Sequence, residues 1–540
     1  MPEPDENSQD VGDVLIVGGG LAGLSAAMFL AVHGVKATLV ERHESTSVQP
    51  RARGQVPPTM EALRVAGVDQ NVLDASIADR LHVVIAESLV GQEYHVIVGD
   101  ENPDFGRFSP APWGLASQER VEPILERRAW ELGAKLRFST RLESVEERQD
   151  DVRVMLRDLH TGEEAESRWR FVIAADGHRG AIREQLDIGW HGAGDLGQIN
   201  CILFDADLSG PLNGRRFALY HLRGELPGAT FVTTDTDGRY ALHVGSEGTS
   251  PSGTEAEDLV RRAVGIRDLD VNVIDIAPWT VALRIADRFA TTRVALIGDA
   301  AKLMPPTGGF GGNAAILDAY SLAWKLAAII RGNAGISLLQ THDDERRPFA
   351  ELIASQQLAQ MTLRTGNGTQ PAAPPIDPAT ILFGFRFLRG AFAPAEPGDT
   401  EEPGDTAELE DPRTPSGRPG TRAAFVRLDR VQDLTDNSAR NTTDLFGTEF
   451  VLLCGNAESI LTAERVFATA GLPIRTQLMH DTNTPSDEEH TWPRAFGIPH
   501  QGAVLVRPDG IIAWRTNQQI DAENIRSALQ TTLRNHPGRS

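Results

Sequence analysis

A chain of 540 residues is too long for one hydrophobic core and implies two or three domains, and its 41% hydrophobic and 24% charged residues are those of a globular protein. A net charge of −23 argues against nucleic acid or an anionic membrane as partner. The two cysteines, Cys201 and Cys454, lie too far apart in sequence to form a disulfide framework or a metal site, so no metal is expected. Residues 1–12 are acidic and polar, with no basic or apolar signal region. The apolar run at 322–330 is interrupted by Lys325, so a cytoplasmic protein without a membrane span is expected.

The first element, Asp13-Val-Leu-Ile-Val17, runs into Gly18-Gly-Gly20-Leu-Ala-Gly23, and the next apolar run, 36–40, closes on Glu41-Arg42. Strand, tight turn, helix, strand and acid together form the ADP-binding βαβ fingerprint. Gly18 permits the turn, Gly20 admits a pyrophosphate to the backbone, and Gly23 lets the helix at 21–33 pack on the strand. The first helical amides then face the phosphates, and Glu41 stands at the spacing for the adenosine ribose.

Two further strands end in small acidic turns. Residues 171–175 lead into Asp176-Gly177, with Arg183 one or two helical turns on. Residues 293–297 lead into Gly298-Asp299-Ala-Ala301, then Pro305-Pro306 and Gly308-Gly309-Phe-Gly311-Gly312-Asn313, which opens a helical pattern through Ile330. A carboxylate at a strand end suits a ribityl hydroxyl. A glycine-rich helix start suits a flavin pyrimidine edge, where the dipole stabilises the charge that reduction creates. This favours a flavin over a nicotinamide as the bound dinucleotide.

In this order and spacing, the three segments resemble the class A flavoprotein aromatic monooxygenases. Pro50-Arg51-Ala-Arg53-Gly54 resembles that family's flavin-side arginine loop, with Arg51 the better match, and Ser117-Gln118…Glu122 resembles the helix whose glutamine contacts the FAD ribose region. The resemblance is closest to the actinomycete hydroxylases of aromatic polyketides. It extends to Trp324-Lys325-Leu-Ala-Ala and to the C-terminal Leu505-Val-Arg-Pro-Asp-Gly510-Ile-Ile-Ala-Trp-Arg515. It implies FAD held by Gly18, Gly20, Gly23, Glu41, Arg42, Arg51, Gln118, Asp176, Gly298, Asp299, Pro306, Gly309, Gly311, Gly312 and Asn313. NADPH or NADH then acts as a transient donor, and O2 is activated as a flavin C4a-hydroperoxide that hydroxylates a polycyclic aromatic polyketide in antibiotic biosynthesis. Two positions depart from the pattern: Lys302 replaces the usual histidine after Gly-Asp-Ala-Ala, and Gly180 the usual serine of the Asp-Gly motif.

The expected fold is α/β: a Rossmann-like FAD-binding domain (1–75, 110–190 and 285–390) with an inserted β-sheet substrate domain (76–109 and 191–284). A Pro-rich acidic linker (391–420) leads to a C-terminal thioredoxin-like domain (421–540) without a CxxC pair. Cys454-Gly-Asn-Ala457 lacks the resolving cysteine, so the tail is read as redox-dead, either packing on the body or supporting a homodimer contact. Tyr220 in the lid and Arg386, among Phe383, Phe385 and Phe387, are the catalytic candidates, as partners of a substrate phenol. Baeyer–Villiger or drug-inactivating oxygenation by the same cofactor is the enzymatic alternative, and a non-catalytic flavin scaffold the third.

Overall fold

The computed structural model describes residues 11–46, 53–78, 80–99, 102–246, 248–365, 375–394, 408–428, 439–470, 474–479 and 492–534. Five strands, Lys135–Arg137, Ala37–Val40, Gly12–Val17, Glu164–Ala174 and Val294–Leu296, lie side by side in that order with every pairing parallel. Val17 is level with Ala174, and Ala174 with Leu296. The turns that follow these three strands therefore emerge together at one carboxyl edge, the usual ligand edge of an open parallel sheet. The first half of Glu164–Ala174 instead pairs antiparallel with Val152–Asp158, which pairs with Thr140–Glu147.

Helix Leu21–Val32 packs between helices Gln118–Glu131 and Phe310–Ile330. It is apolar on every face because it is covered on every face. Phe310–Ile330 is long and apolar enough to cross a membrane, yet its length is enclosed by the rest of the molecule, and it carries Asp318 and Lys325 fully buried.

A second sheet has the order Lys302–Leu303, Asn272–Ala286, Trp190–Asp205, Arg239–Ser246, Thr230–Thr233, Ala218–Leu222, His82–Ala86, Glu93–Val98. Helix Gly253–Val264 covers one face, meeting Ile202, Phe204, Tyr220, Phe231 and Leu242 in a single apolar layer. The helix is fixed by a capping box between Ser252 and Glu255.

The C-terminal part is a four-stranded sheet, Ile474–Leu478, Phe450–Cys454, Ala503–Val506, Ile512–Thr516, in which only the first pair is parallel. Its core is continuous with that of the N-terminal sheet: Trp324 sets its ring edge-on against Phe450 at 5.5 Å, and Tyr320 donates to the Pro508 carbonyl at 3.0 Å. The segment at 391–420, expected to cross the surface as a linker, is anchored at both described ends. Ala391 and Ala393 are buried, with Ala393 bonded to Ala513, and Gly420 donates to Ile512. Backbone donors at these positions find partners in the body, so this stretch cannot detach without orphaning them.

Charge is buried where the two parts meet. Lys325 reaches Glu345 at 2.8 Å, Arg507 grips the same carboxylate at 2.7 and 2.9 Å, and all three side chains are fully buried. Arg507 also pairs with Asp509, and Ala391 N–H donates to Glu345 at 2.8 Å. Burial opposes ionisation of Glu345, but Arg507 and Lys325 hold its pKa down to about 2. Removing one member leaves uncompensated charge, which costs about 3–5 kcal/mol in comparable sites. Glu345→Gln is therefore expected to lower the thermal unfolding temperature sharply, or to yield insoluble protein, in a melt monitored by circular dichroism.

Candidate active site

At the shared carboxyl edge, Gly18 has φ +112°, and a Cβ there would sit 2.1 Å from the Ala175 carbonyl oxygen. A Cβ on Gly23 would lie 1.9 Å from Gly18 O, so the helix packs on the turn only because both are glycine. Gly20 caps the helix. Glu41 accepts from Gly19 N–H at 2.6 Å and His43 N–H at 2.9 Å, which fixes the acid beside the turn. Gln118 donates to Glu122 at 2.6 Å, and Glu122 lies against Gly20. Arg42 is exposed and near enough to Asp176 to act on it electrostatically.

Asp176 is half-buried; one carboxylate oxygen accepts from Ile182 N–H at 3.2 Å and the other is buried with no hydrogen-bond partner. Burial raises its pKa to about 6, against opposing backbone hydrogen bonds and the charges of Arg183 and Arg42. A Cβ on Gly180 would fall 2.1 Å from the Asp176 carboxyl carbon, so this glycine leaves the space that the carboxylate occupies.

Gly298, at φ +58°, touches both long helices: a Cβ there would meet Ala22 at 2.8 Å and Ala315 at 3.4 Å. Two helix N-termini thus converge on one turn, with Asp299 exposed beside it. Gly309 caps Phe310–Ile330 at φ +68° and donates to Pro306 O at 3.4 Å. Gly311 and Gly312 fall in its first turn. Asn313 is spent on structure: it accepts from Val56 N–H at 2.9 Å and donates to Gly54 and Gly309 carbonyls. Arg51 lies outside the described residues. Arg53 is committed elsewhere, to Asp235 and to the Thr233 carbonyl, with its guanidinium over Phe217 at 4.0 Å.

Open space adjoins this edge, since a Cβ on Gly177 or Gly311 would meet nothing within 4 Å. Two helix N-termini, the fixed Glu41 carboxylate and an unpartnered buried carboxylate oxygen are features that fit an FAD.

The second sheet is tied to this edge at two places. Lys302–Leu303, just after Asp299, pairs with Arg284 and Ile285. At the tip of the Thr230–Thr233/Arg239–Ser246 hairpin, Asp235 pairs with Arg53 and Arg120 and accepts from Ser117 N–H at 3.1 Å. These ties seat the second sheet beside the carboxyl edge, and its face turned away from helix Gly253–Val264, the cleft face, carries no helix. Its residues, among them Leu203, Leu219, Val232 and Trp279, are half-buried with no helix on them.

Tyr220 does not belong to that face. Alternate strand residues point to opposite sides, and Tyr220 sits in the helix-covered layer, its hydroxyl bonded to Arg215 at 2.5 Å. Burial pushes its pKa up, although Arg215 opposes this. Arg386 is half-buried, its N–H donating to Glu408 O at 2.8 Å and its charge acting on Glu410. Lys302 pairs with Asp318, which also receives Arg346 at 2.9 Å. Sequence reading passed over His221 and His243, which lie on the cleft face; the period-2 alternation held that signal.

The FAD binding domain family matches residues 12–357, and the C-terminal domain family of aromatic-ring hydroxylases matches residues 416–535. The chain belongs to the FAD-dependent aromatic-ring hydroxylases. It is 37% identical to aklavinone 12-hydroxylase RdmE of Streptomyces purpurascens, over 97% of this chain and 98% of that one. It is 36% identical to 4-methyl-5-nitrocatechol 5-monooxygenase of a Burkholderia species, over 99% of both. A crystal structure of aklavinone-11 hydroxylase with FAD and aklavinone superimposes with a TM-score of 0.89, at 37% identity, covering 98% of this chain and all of that one. The protein is thus a flavoprotein monooxygenase that takes FAD as cofactor and NAD(P)H as co-substrate.

Two outcomes are expected here. Gly23→Ala should purify without FAD, read as loss of flavin absorbance relative to protein that added FAD does not restore. Asp176 has a folded-state pKa of about 6 against the ordinary 3.8, so the fold favours its protonated form. Its stabilisation is complete below the ordinary value and is lost as pH rises through about 6. In melts of the FAD-free protein, Asp176→Asn should gain stability relative to wild type as pH rises through that value.

Proposed function

We propose that the protein hydroxylates a phenolic, polycyclic aromatic polyketide in the making of an antibiotic. The single observation that carries this is the helix-free sheet face, with Leu203, Leu219, Val232 and Trp279 half-buried on it, in a chain matching an aklavinone hydroxylase along nearly its whole length. Bound FAD, reduced by NAD(P)H, supplies the activation of O2 and its transfer. The protein's part is to hold, orient and exclude water. Gly18, Gly20 and Gly23 admit the pyrophosphate; Glu41 takes the ribose; Asp176 and Asp299 take polar groups further along the cofactor; and the half-buried sheet face keeps the arene dry. Arg386 is the cation proposed to favour ionisation of a substrate phenol, which would speed attack by an electrophilic oxygen.

The tail's mixed sheet, with helices Ala457–Ala470 and Ala522–Thr532 packed together, supports reading it as thioredoxin-like. Cys454 is buried, and burial pushes its thiol up to about 12, so it acts as core and not as redox centre. A second substrate reading has one observation in its favour, the full-length match to a nitrocatechol monooxygenase, which points to a single-ring phenol.

The test is NAD(P)H oxidation by FAD-loaded protein with a panel of hydroxyanthraquinones and catechols. The expected result is strong stimulation by the fused-ring compounds with a hydroxylated product. Stimulation by catechols alone would favour the single-ring reading, and no stimulation by any arene would favour a flavin scaffold.

A further inference from the structure

On the cleft face of the second sheet, one row runs straight across six strands: Ile85, His221, Thr230, His243, Cys201 and Ala277. The next row on the same face is apolar where it passes through Val83, Leu219, Val232, Ala241 and Leu203. The polar line thus runs beside an apolar row, which ends at Asp275, with the Asp205–Arg239 ion pair one row further on. Within it, His221 Nδ1 lies 3.2 Å from Thr230 Oγ1. His243 packs edge-on against Trp279, ring centroids 6.1 Å apart, and its imidazole makes no hydrogen bond among the described residues.

We propose that His243 and His221, with Thr230 between them in the row and its hydroxyl on His221, receive the phenol or quinone oxygens of the aromatic substrate. This rests on the hydroxylase reading above and adds to it the residues that recognise the substrate's oxygens. The two histidines stand on strands two apart, so their backbones are about 10 Å from each other across the sheet, a span that suits fused rings better than one ring. Burial lowers the pKa of His243 to about 4, so its imidazole is neutral at physiological pH. A neutral imidazole offers one N–H donor and one lone pair, matching a quinone carbonyl or a phenol hydroxyl. Trp279 beside it supplies a flat apolar wall. Cys201 is no competitor for this role, because burial raises its thiol to about 11 and leaves it an uncharged, weak donor.

The experiment measures binding of 1,8-dihydroxyanthraquinone and of its dimethyl ether to the FAD-loaded enzyme, by flavin fluorescence, alongside NADPH oxidation with each. Wild type is expected to prefer the free dihydroxyquinone by about tenfold, the worth of one net hydrogen bond. His243→Phe, which keeps a ring against Trp279, should erase most of that preference at unchanged FAD content. Thr230→Val, which removes only the hydroxyl that holds His221, should narrow it and serves if the first variant fails to take up FAD. Full retention of the preference in either FAD-loaded variant overturns the inference; the hydroxylase reading survives if the quinones still drive NADPH oxidation. If neither quinone binds wild type nor stimulates oxidation, the underlying reading falls, and the inference with it.

Discussion

Everything at the cofactor edge depends on keeping one apolar helix, Phe310–Ile330, buried around its full circumference while it carries charge. Asp318 and Lys325 have no access to water, and an isolated ion in such a place would cost far more than the fold can spare. Each is therefore met by its opposite. Asp318 faces Lys302 and Arg346, and Lys325 shares Glu345 with Arg507, whose second partner is Asp509. These contacts reach every part that must be positioned. Lys302 follows the Gly298–Ala300 turn, Gly298 N–H donates to Asp318 at 3.3 Å, and Arg507 belongs to the C-terminal sheet. The C-terminal part is thus a structural brace for the helix that Gly309 caps at the carboxyl edge.

Much of the cofactor edge was legible in the sequence, and for a definite reason. Three strands that pair parallel and in level register must release their following turns at one edge, so local motifs at 18–23, 176–177 and 298–299 became neighbours without any long-range guess. The class of protein followed from those motifs. Other features depend on contacts that no local pattern encodes. Arg53 is held by Asp235 from the other sheet, across 182 positions of sequence, so a flavin-side role for it was not separable from Arg51 by spacing alone. Tyr220 stands out as one of only four tyrosines, but strand parity sends its ring under helix Gly253–Val264, while its neighbours Leu219 and His221 turn to the other face.

The two departures from the family pattern find physical reasons in the packing. Lys302 is buried, and burial lowers its pKa, but Asp318 and its hydrogen bond act to keep it charged. An ammonium can take that place only because a carboxylate waits on the neighbouring helix. Gly180 gives up a hydroxyl and in return makes room for the Asp176 carboxylate, one oxygen of which is buried without a partner. Neither change disturbs the close glycine contacts at Gly18 and Gly23.

The account's central claim is that this cleft transfers oxygen to an aromatic ring. Turnover of FAD-loaded protein with NADPH and a hydroxyanthraquinone under isotopically labelled O2, followed by mass analysis of the product, tests it most directly. The account predicts one labelled oxygen atom in the ring-hydroxylated product. Unmodified quinone, with all of the label recovered as hydrogen peroxide, would contradict it.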